Sequence, residues 1–205
     1  MEFKAFDKIP RLSREMVITE KIDGTNGIIA IEELPVTSPM TDPIPSDGAL
    51  LEIIGGIGYG LKAGSRSRWI TPGKSNDNAG FAAWVYEHAK ELISGLGPGF
   101  HYGEWWGKGI QRGYGLSEKR FSLFNVARWS DPKVRPTCCH VVPTLGIVPF
   151  LTDAVDDCLE HLKKYGSLAA PGYMNPEGIV IYHTASGQLF KKTIENDEKP
   201  KGSTE

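Results

Sequence analysis

Residues 19–27 read TEKIDGTNG and put one lysine, Lys21, between Glu20 and Asp23, ahead of a turn rich in Gly and Asn. A lysine so placed is either a solvated charge paired with its neighbours or a nucleophile. A nucleophilic amine must be neutral, whereas an unperturbed lysine titrates near 10.4, so only about one in a thousand is neutral near pH 7.4. Holding it neutral without a shifted pKa costs roughly 4 kcal/mol. Neighbouring cations and desolvation remove that cost by disfavouring the ammonium, and a bound metal acts in the same sense.

Four further segments follow in order: SRSR (65–68), YGEWWGKGIQ (102–111), EGIVI (177–181) and FKKT (190–193). They supply cations at Arg66, Arg68, Lys191 and Lys192 and carboxylates at Glu104 and Glu177. Singly, each is weak. KIDG fixes three residue types, each used at roughly one in fifteen to twenty, and arises by chance in about one chain in twenty of this length. Taken alone, Lys21 reads as a solvated lysine at a hairpin turn, Glu104 as an edge-strand charge and Glu177 as the lead-in to an ordinary strand.

The joint order is more specific. From about residue 15 to 195 the chain resembles the covalent nucleotidyltransferases, the superfamily of RNA ligases, DNA ligases and mRNA capping enzymes, in which the lysine of KxDG becomes adenylated or guanylylated. DNA ligases and capping enzymes usually carry Arg two positions after the glycine of that motif; here Asn26 stands there. EKIDGTN and GEWWGKGIQ are similar instead to the phage-type RNA ligases that seal nicks in duplex RNA. The resemblance implies an ATP-dependent RNA ligase of the RNA-repair kind, with a DNA ligase, a guanylyltransferase or a non-catalytic binding module as alternatives.

It also implies roles. Lys21 is the expected nucleophile toward the α-phosphate of ATP, and Asp23 orients it and its metal-bound water. Glu20 meets the adenine edge, Glu104 a ribose hydroxyl, and Phe124 stacks on the purine, with Phe121 as the alternative. Glu177 and Asp23 are the expected ligands of Mg²⁺ or Mn²⁺, a hard cation suited to carboxylate oxygen. Arg66 or Arg68 holds the ribose or the 5′-phosphate of the strand being joined, and Asn26 senses that phosphate. Lys191 and Lys192 neutralise the triphosphate. The last motif of the family commonly reads KxK, whereas FKKT ends in Thr193; strand alternation groups Lys191 with Thr193 and sends Lys192 to the other face unless a bulge brings it round.

These residues need strands to hold them. Residues 16–22 and 27–32 are β-branched and apolar, broken by DGTN, a turn signal. Residues 36–48 form a Pro/Ser/Asp-rich connector, 50–55 a buried strand, and GGIGYGLKAGSRSR a loop without apolar period. Apolar residues at three- and four-residue intervals predict a helix over 81–93, with Asp77 or Asn78 as N-cap and Gly95 beyond its end. A second helix is predicted over 153–165, capped by Thr152, stopped at Gly166, with Val155, Leu159 and Leu162 inward. FHYGEWW, FSLFNVARW, GIVPFL, EGIVIYHT and QLFKKT read as strands. The expected class is α+β: mainly antiparallel sheets flanked by helices. By resemblance this is a nucleotidyltransferase (ATP-grasp-like ligase adenylation) domain over 1–195 with a polar tail at 196–205 and no appended oligonucleotide-binding fold.

Composition narrows the partners. A net charge of −2 across 205 residues gives no global attraction to nucleic acid, so binding must use local basic patches and surface, a partner protein or an oligomer. The expected nucleic acid is nicked or broken RNA, with an RNA/DNA hybrid as a further substrate class. No apolar run approaches membrane-spanning length, and the expected setting is the cytoplasm of a bacterial or phage-infected cell. GGIGYG lacks the GK[ST] of a P-loop, the five histidines show no metal spacing, and the three cysteines form no CxxC.

Overall fold

The computed structural model describes residues 1–34 and 50–198. The predicted connector at 36–48 lies outside the described residues. The chain divides into two compact units, one of Met1–Ile22 with Pro143–Glu205, the other of Asp23–Val142.

In the first unit, β1 (Glu15–Lys21) lies inside a four-stranded sheet of order β11-β10-β1-β9, with β9 at Thr144–Pro149, β10 at Gly178–His183 and β11 at Gln188–Thr193. All its pairings are antiparallel. Helix α4 (Thr152–Tyr165) covers one face, burying Val155, Leu159 and Leu162 against Met16, Ile18, Ile179 and Ile181. Each such side chain removed from water stabilises by about 1.5–3 kcal/mol. Gly166 ends the helix as expected, but Thr152 is its first residue and not its cap; Leu151 holds that place without a side-chain hydrogen bond.

In the second unit, β2 (Thr25–Leu34), β3 (Leu50–Ile54), β4 (Ile57–Gly64), β5 (Trp69–Ile70), β6 (Gly99–Gly107), β7 (Lys119–Leu123) and β8 (Cys139–Val141) form a seven-stranded sheet, antiparallel except for β7 with β8. Helices α1 (Phe81–Glu87) and α2 (Ala89–Leu96) close one face over Phe81, Val85, Leu92, Trp105 and Phe121. The α+β class with antiparallel-rich sheets is therefore as expected.

Five local expectations change. The strand expected to be buried, β3, lies at the sheet edge with Ile53 55% exposed. DGTN is no hairpin turn: β1 pairs with β9 and β10, whereas β2 pairs with β4 and β6. The stretch expected as a loop contains β4, whose apolar alternation sits at Tyr59, Leu61 and Ala63 on one face while Gly58, Gly60 and Gly64 leave Lys62 as the one side chain of the other face between them. The helix predicted over 81–93 breaks at His88, whose Nδ1 lies 2.9 Å from the Trp84 carbonyl. It ends at Gly97, and Gly95 sits inside it because a Cβ there would meet Pro136 at 2.6 Å. Asp77 still accepts from Ala82 N and Ala83 N at 2.7 and 3.3 Å. Finally, FSLFNVARW stops being strand after Leu123: Asn125 accepts from Arg128 N and starts α3 (Val126–Trp129).

Candidate active site

In the four-stranded sheet, the register sets which lysines act together. Lys21 pairs with Gly178, and Gly178 with Thr193; two rows along, Thr19 pairs with Val180, and Val180 with Lys191. Paired residues share a face, adjacent residues along a strand oppose and alternate ones agree, so Lys21, Lys191 and Thr193 stand on the face opposite α4. Lys21 Nζ donates to Glu177 Oε2 at 2.5 Å, with the carboxylate buried at the entry to β10 and the ammonium one-fifth exposed. Gly178 keeps the middle position of that row free of a side chain; a Cβ there would fall on the Lys192 carbonyl.

Lys192 goes the other way. It pairs with Ile179 on the face covered by α4, and its Nζ donates to Asp156 Oδ1 at 2.5 Å, a bond that raises the ammonium's pKa. The register of β10 and β11 runs in step from Gly178↔Thr193 to His183↔Gln188, so no bulge brings Lys192 round. The Thr193 hydroxyl is engaged at the end of the strand, donating to the Glu195 carbonyl and to Asp197 Oδ1.

Glu20, one residue before the lysine, is buried. Its carboxylate accepts from Ser167 Oγ at 2.5 Å and from the backbone N–H groups of Leu168 and Ala169 at 2.8 and 2.9 Å. Burial outweighs these donors and pushes the Glu20 carboxyl up from its ordinary value. The residue expected at a base edge thus holds the loop at 167–170.

In the second unit, the remainder of the motif is clamped by β6 and the loop after it. Glu104 Oε1 accepts from Gly24 N at 3.1 Å and Glu104 Oε2 from Asn26 Nδ2 at 3.1 Å. Asp23 N donates to the Tyr114 hydroxyl at 2.8 Å, and Arg112 Nε lies 3.2 Å from Asp23 Oδ2. Gly24 is required: a Cβ there would stand 2.5 Å from the Trp105 carbonyl oxygen, a backbone atom that cannot swing aside. Arg112, Tyr114 and Ser167 were not singled out from sequence. The available signal was GKGIQRGYG, whose glycines accompany left-handed backbone at Gln111 and Tyr114.

Arg66 and Arg68 are both exposed in the turn between β4 and β5, which closes with Ser65 N to the Arg68 carbonyl at 2.8 Å. Of the two aromatic alternatives, Phe121 is locked in the core against Phe81 at 5.1 Å between ring centroids, while Phe124 is 40% exposed. Phe124 is the ring available to a ligand.

Among the described residues no group of three or more His, Cys, Asp or Glu gathers to hold a metal. A cation that takes one or two carboxylates and completes its shell from phosphate and water needs no such group, and the buried carboxylate of Glu177 fits that use. No helix of the described residues is long and apolar enough to cross a membrane.

A strand-borne lysine against a buried carboxylate, with a second lysine on its face, is an arrangement for handling polyanions at an amine. Residues 14–193 match the family model for RNA ligases, and the chain belongs to the RNA ligase family. No curated protein matches it. Solved structures of a Naegleria gruberi RNA ligase share the fold: one mutant with ATP and Mn has a TM-score of 0.55 at 16% identity, covering 90% of this chain and 51% of that one. A mutant with AMP and Mn gives 0.54 at 16% identity, covering 89% and 50%. Another with ATP and Mn gives 0.52 at 14%, covering 88% and 49%. The chain spans about half the length of these relatives.

Proposed function

We propose that the protein is an ATP-dependent RNA ligase that joins a 5′-phosphate to a 3′-hydroxyl through a lysyl-AMP intermediate. The observation that carries this reading is Lys21 Nζ held 2.5 Å from Glu177 Oε2 on a sheet face shared with Lys191, in a chain of the RNA ligase family. The ATP and Mn named with the Naegleria structures support the choice of nucleotide and of a divalent cation.

In this reading the Lys21 amine attacks the α-phosphate of ATP, the Nζ–P bond forms, the bond to the bridging oxygen breaks and pyrophosphate leaves. The 5′-phosphate of the strand then attacks the same phosphorus and frees Lys21, and a 3′-hydroxyl attacks the adenylated end, releasing AMP. Lys191 stands two strands away on the face of Lys21, where its charge offsets that of the triphosphate and disfavours the ammonium form of the nucleophile. Glu177 is the residue that would hold Mg²⁺ or Mn²⁺, and the bound cation would supply charge neutralisation at the phosphates. Asp23 is kept in place by Arg112 and Tyr114, Phe124 stacks on the purine, and Arg66 or Arg68 takes a phosphate or ribose. Glu104 presents Asn26 toward the 5′-phosphate and retains acceptor capacity for a ribose hydroxyl.

Glu20 supports the nucleophile's strand by anchoring the loop at 167–170, and Phe124 offers an exposed ring for the base. Asn26 in place of an arginine favours RNA over DNA. A second reading, a nucleotide-binding module without turnover, is favoured by Thr193, whose hydroxyl is bound to Asp197 and contributes no charge. Incubation with ATP labelled at the α-phosphate and a divalent cation, followed by denaturation, separates the two. Label retained by the protein and absent from Lys21→Ala supports the ligase; no label in the unaltered protein ends it. Nicked RNA against nicked DNA then tests the substrate.

A further inference from the structure

On the sheet face of the second unit that α1 and α2 do not cover, three aromatic rings stand in series. Trp69 and Phe100 have centroids 6.3 Å apart with planes at 26°, and Phe100 and Tyr102 are 6.4 Å apart at 18°. They are 46%, 61% and 52% exposed, so the rings are presented outward and not packed away. The indole lies over Gly64, where a Cβ would meet ring carbons of Trp69 at 3.2 Å, and Lys62 Nζ stands 6.0 Å from the indole centroid.

The series is continuous with the candidate residues of the second unit. Phe124 N donates to the Tyr102 carbonyl, which brings the backbone of the exposed Phe124 alongside that of Tyr102. Glu104, which holds Asn26, follows Tyr102 by two residues on the same face of β6. At the other end Trp69 directly follows the turn carrying the exposed Arg66 and Arg68.

We propose that this face is a stacking platform for unpaired nucleotides of the RNA strand whose end is joined. Every base has a π-face, so rings in series bind successive bases without reading sequence, while cations beside them follow the phosphates. Lys62, Arg66 and Arg68 supply those cations locally in a protein whose net charge is −2. Paired bases are already stacked on one another and offer no free face, so the platform selects single strands over duplex.

The inference rests on the RNA ligase reading, and the two can fail separately. Label retained from ATP tests that reading without any oligonucleotide, whereas direct strand binding tests the platform. The measurement is fluorescence anisotropy of a labelled oligo(U), and of a duplex of equal length, at one fixed salt concentration. The single strand is expected to bind more tightly than the duplex. A variant combining Trp69→Ala, Phe100→Ala and Tyr102→Ala is expected to weaken single-strand binding by about tenfold or more. Trp69→Phe with Phe100→Tyr and Tyr102→Phe, which keeps all three rings, is expected to retain it and guards against a general loss of fold. Unchanged affinity in the alanine variant, equal or tighter binding of duplex, or a dimer of the unaltered protein that the alanine variant loses would each overturn the platform.

Discussion

Glu20 and Lys21 are neighbours in the chain and stand on opposite faces of β1, the carboxylate beneath the loop at 167–170 and the amine against Glu177. Glu20→Ala leaves the Ser167 hydroxyl and two backbone N–H groups without their acceptor. We expect a loss of about 1–3 kcal/mol, read as a lower urea midpoint. Lys21→Ala should leave that midpoint nearly unchanged and abolish labelling from ATP, so the two neighbours separate into a stability effect and an activity effect.

Lys191 and Lys192 should differ as sharply. Lys191 shares the face of Lys21, and Lys191→Ala is expected to slow formation of the labelled protein on the order of a hundredfold. Lys192→Ala removes an exposed pair with Asp156 on the opposite face and should leave the labelling rate within error of the unaltered protein. Single-turnover labelling checks both, and equal losses would contradict the register argument.

The Tyr114 hydroxyl is the acceptor for Asp23 N at 2.8 Å. Tyr114→Phe should cost about 1 kcal/mol in a denaturant titration, because the amide loses its partner while the ring keeps its edge contact with Trp106. Gly24→Ala is expected to be more severe, since the new methyl meets a backbone carbonyl and the chain itself must shift.

His101 supplies a pH dependence. It is buried under the seven-stranded sheet with Nε2 2.9 Å from the Gly97 carbonyl, and burial lowers its pKa from the ordinary 6.5. The unfolded chain therefore takes up the proton first as pH falls. The stability this neutral ring contributes is full above 6.5 and is lost as pH drops from there through the folded value. Urea midpoints measured downward from pH 7.5 should decline, and His101→Gln should flatten the decline.

The α+β class and most strands were legible because their apolar residues alternate. β4 was not, since Gly58, Gly60 and Gly64 erase one half of its alternation. The break at His88 was also hidden, because the apolar spacing continues across it. At the candidate site, residue types and their order pointed to Lys21, Glu104, Glu177 and Lys191. The partners that fix the geometry, Ser167, Arg112 and Tyr114, act through side-chain hydrogen bonds to residues distant in sequence, and no local pattern encodes those. The sequence also left two faces open to Lys192, and the unbroken register of β10 with β11 decides between them.

The strand that carries Lys21 completes its sheet only with segments that follow the second unit. Glu177 lies 156 residues away in sequence, and both neighbours of β1 follow the whole of the second unit. During synthesis the lysine emerges well before its carboxylate partner, so a chain stalled before β10 has neither the complete sheet nor the Lys21–Glu177 pair. A chain released at that point lacks the pair on which the proposed labelling depends, and pairing between strands so distant in sequence is intrinsically slow.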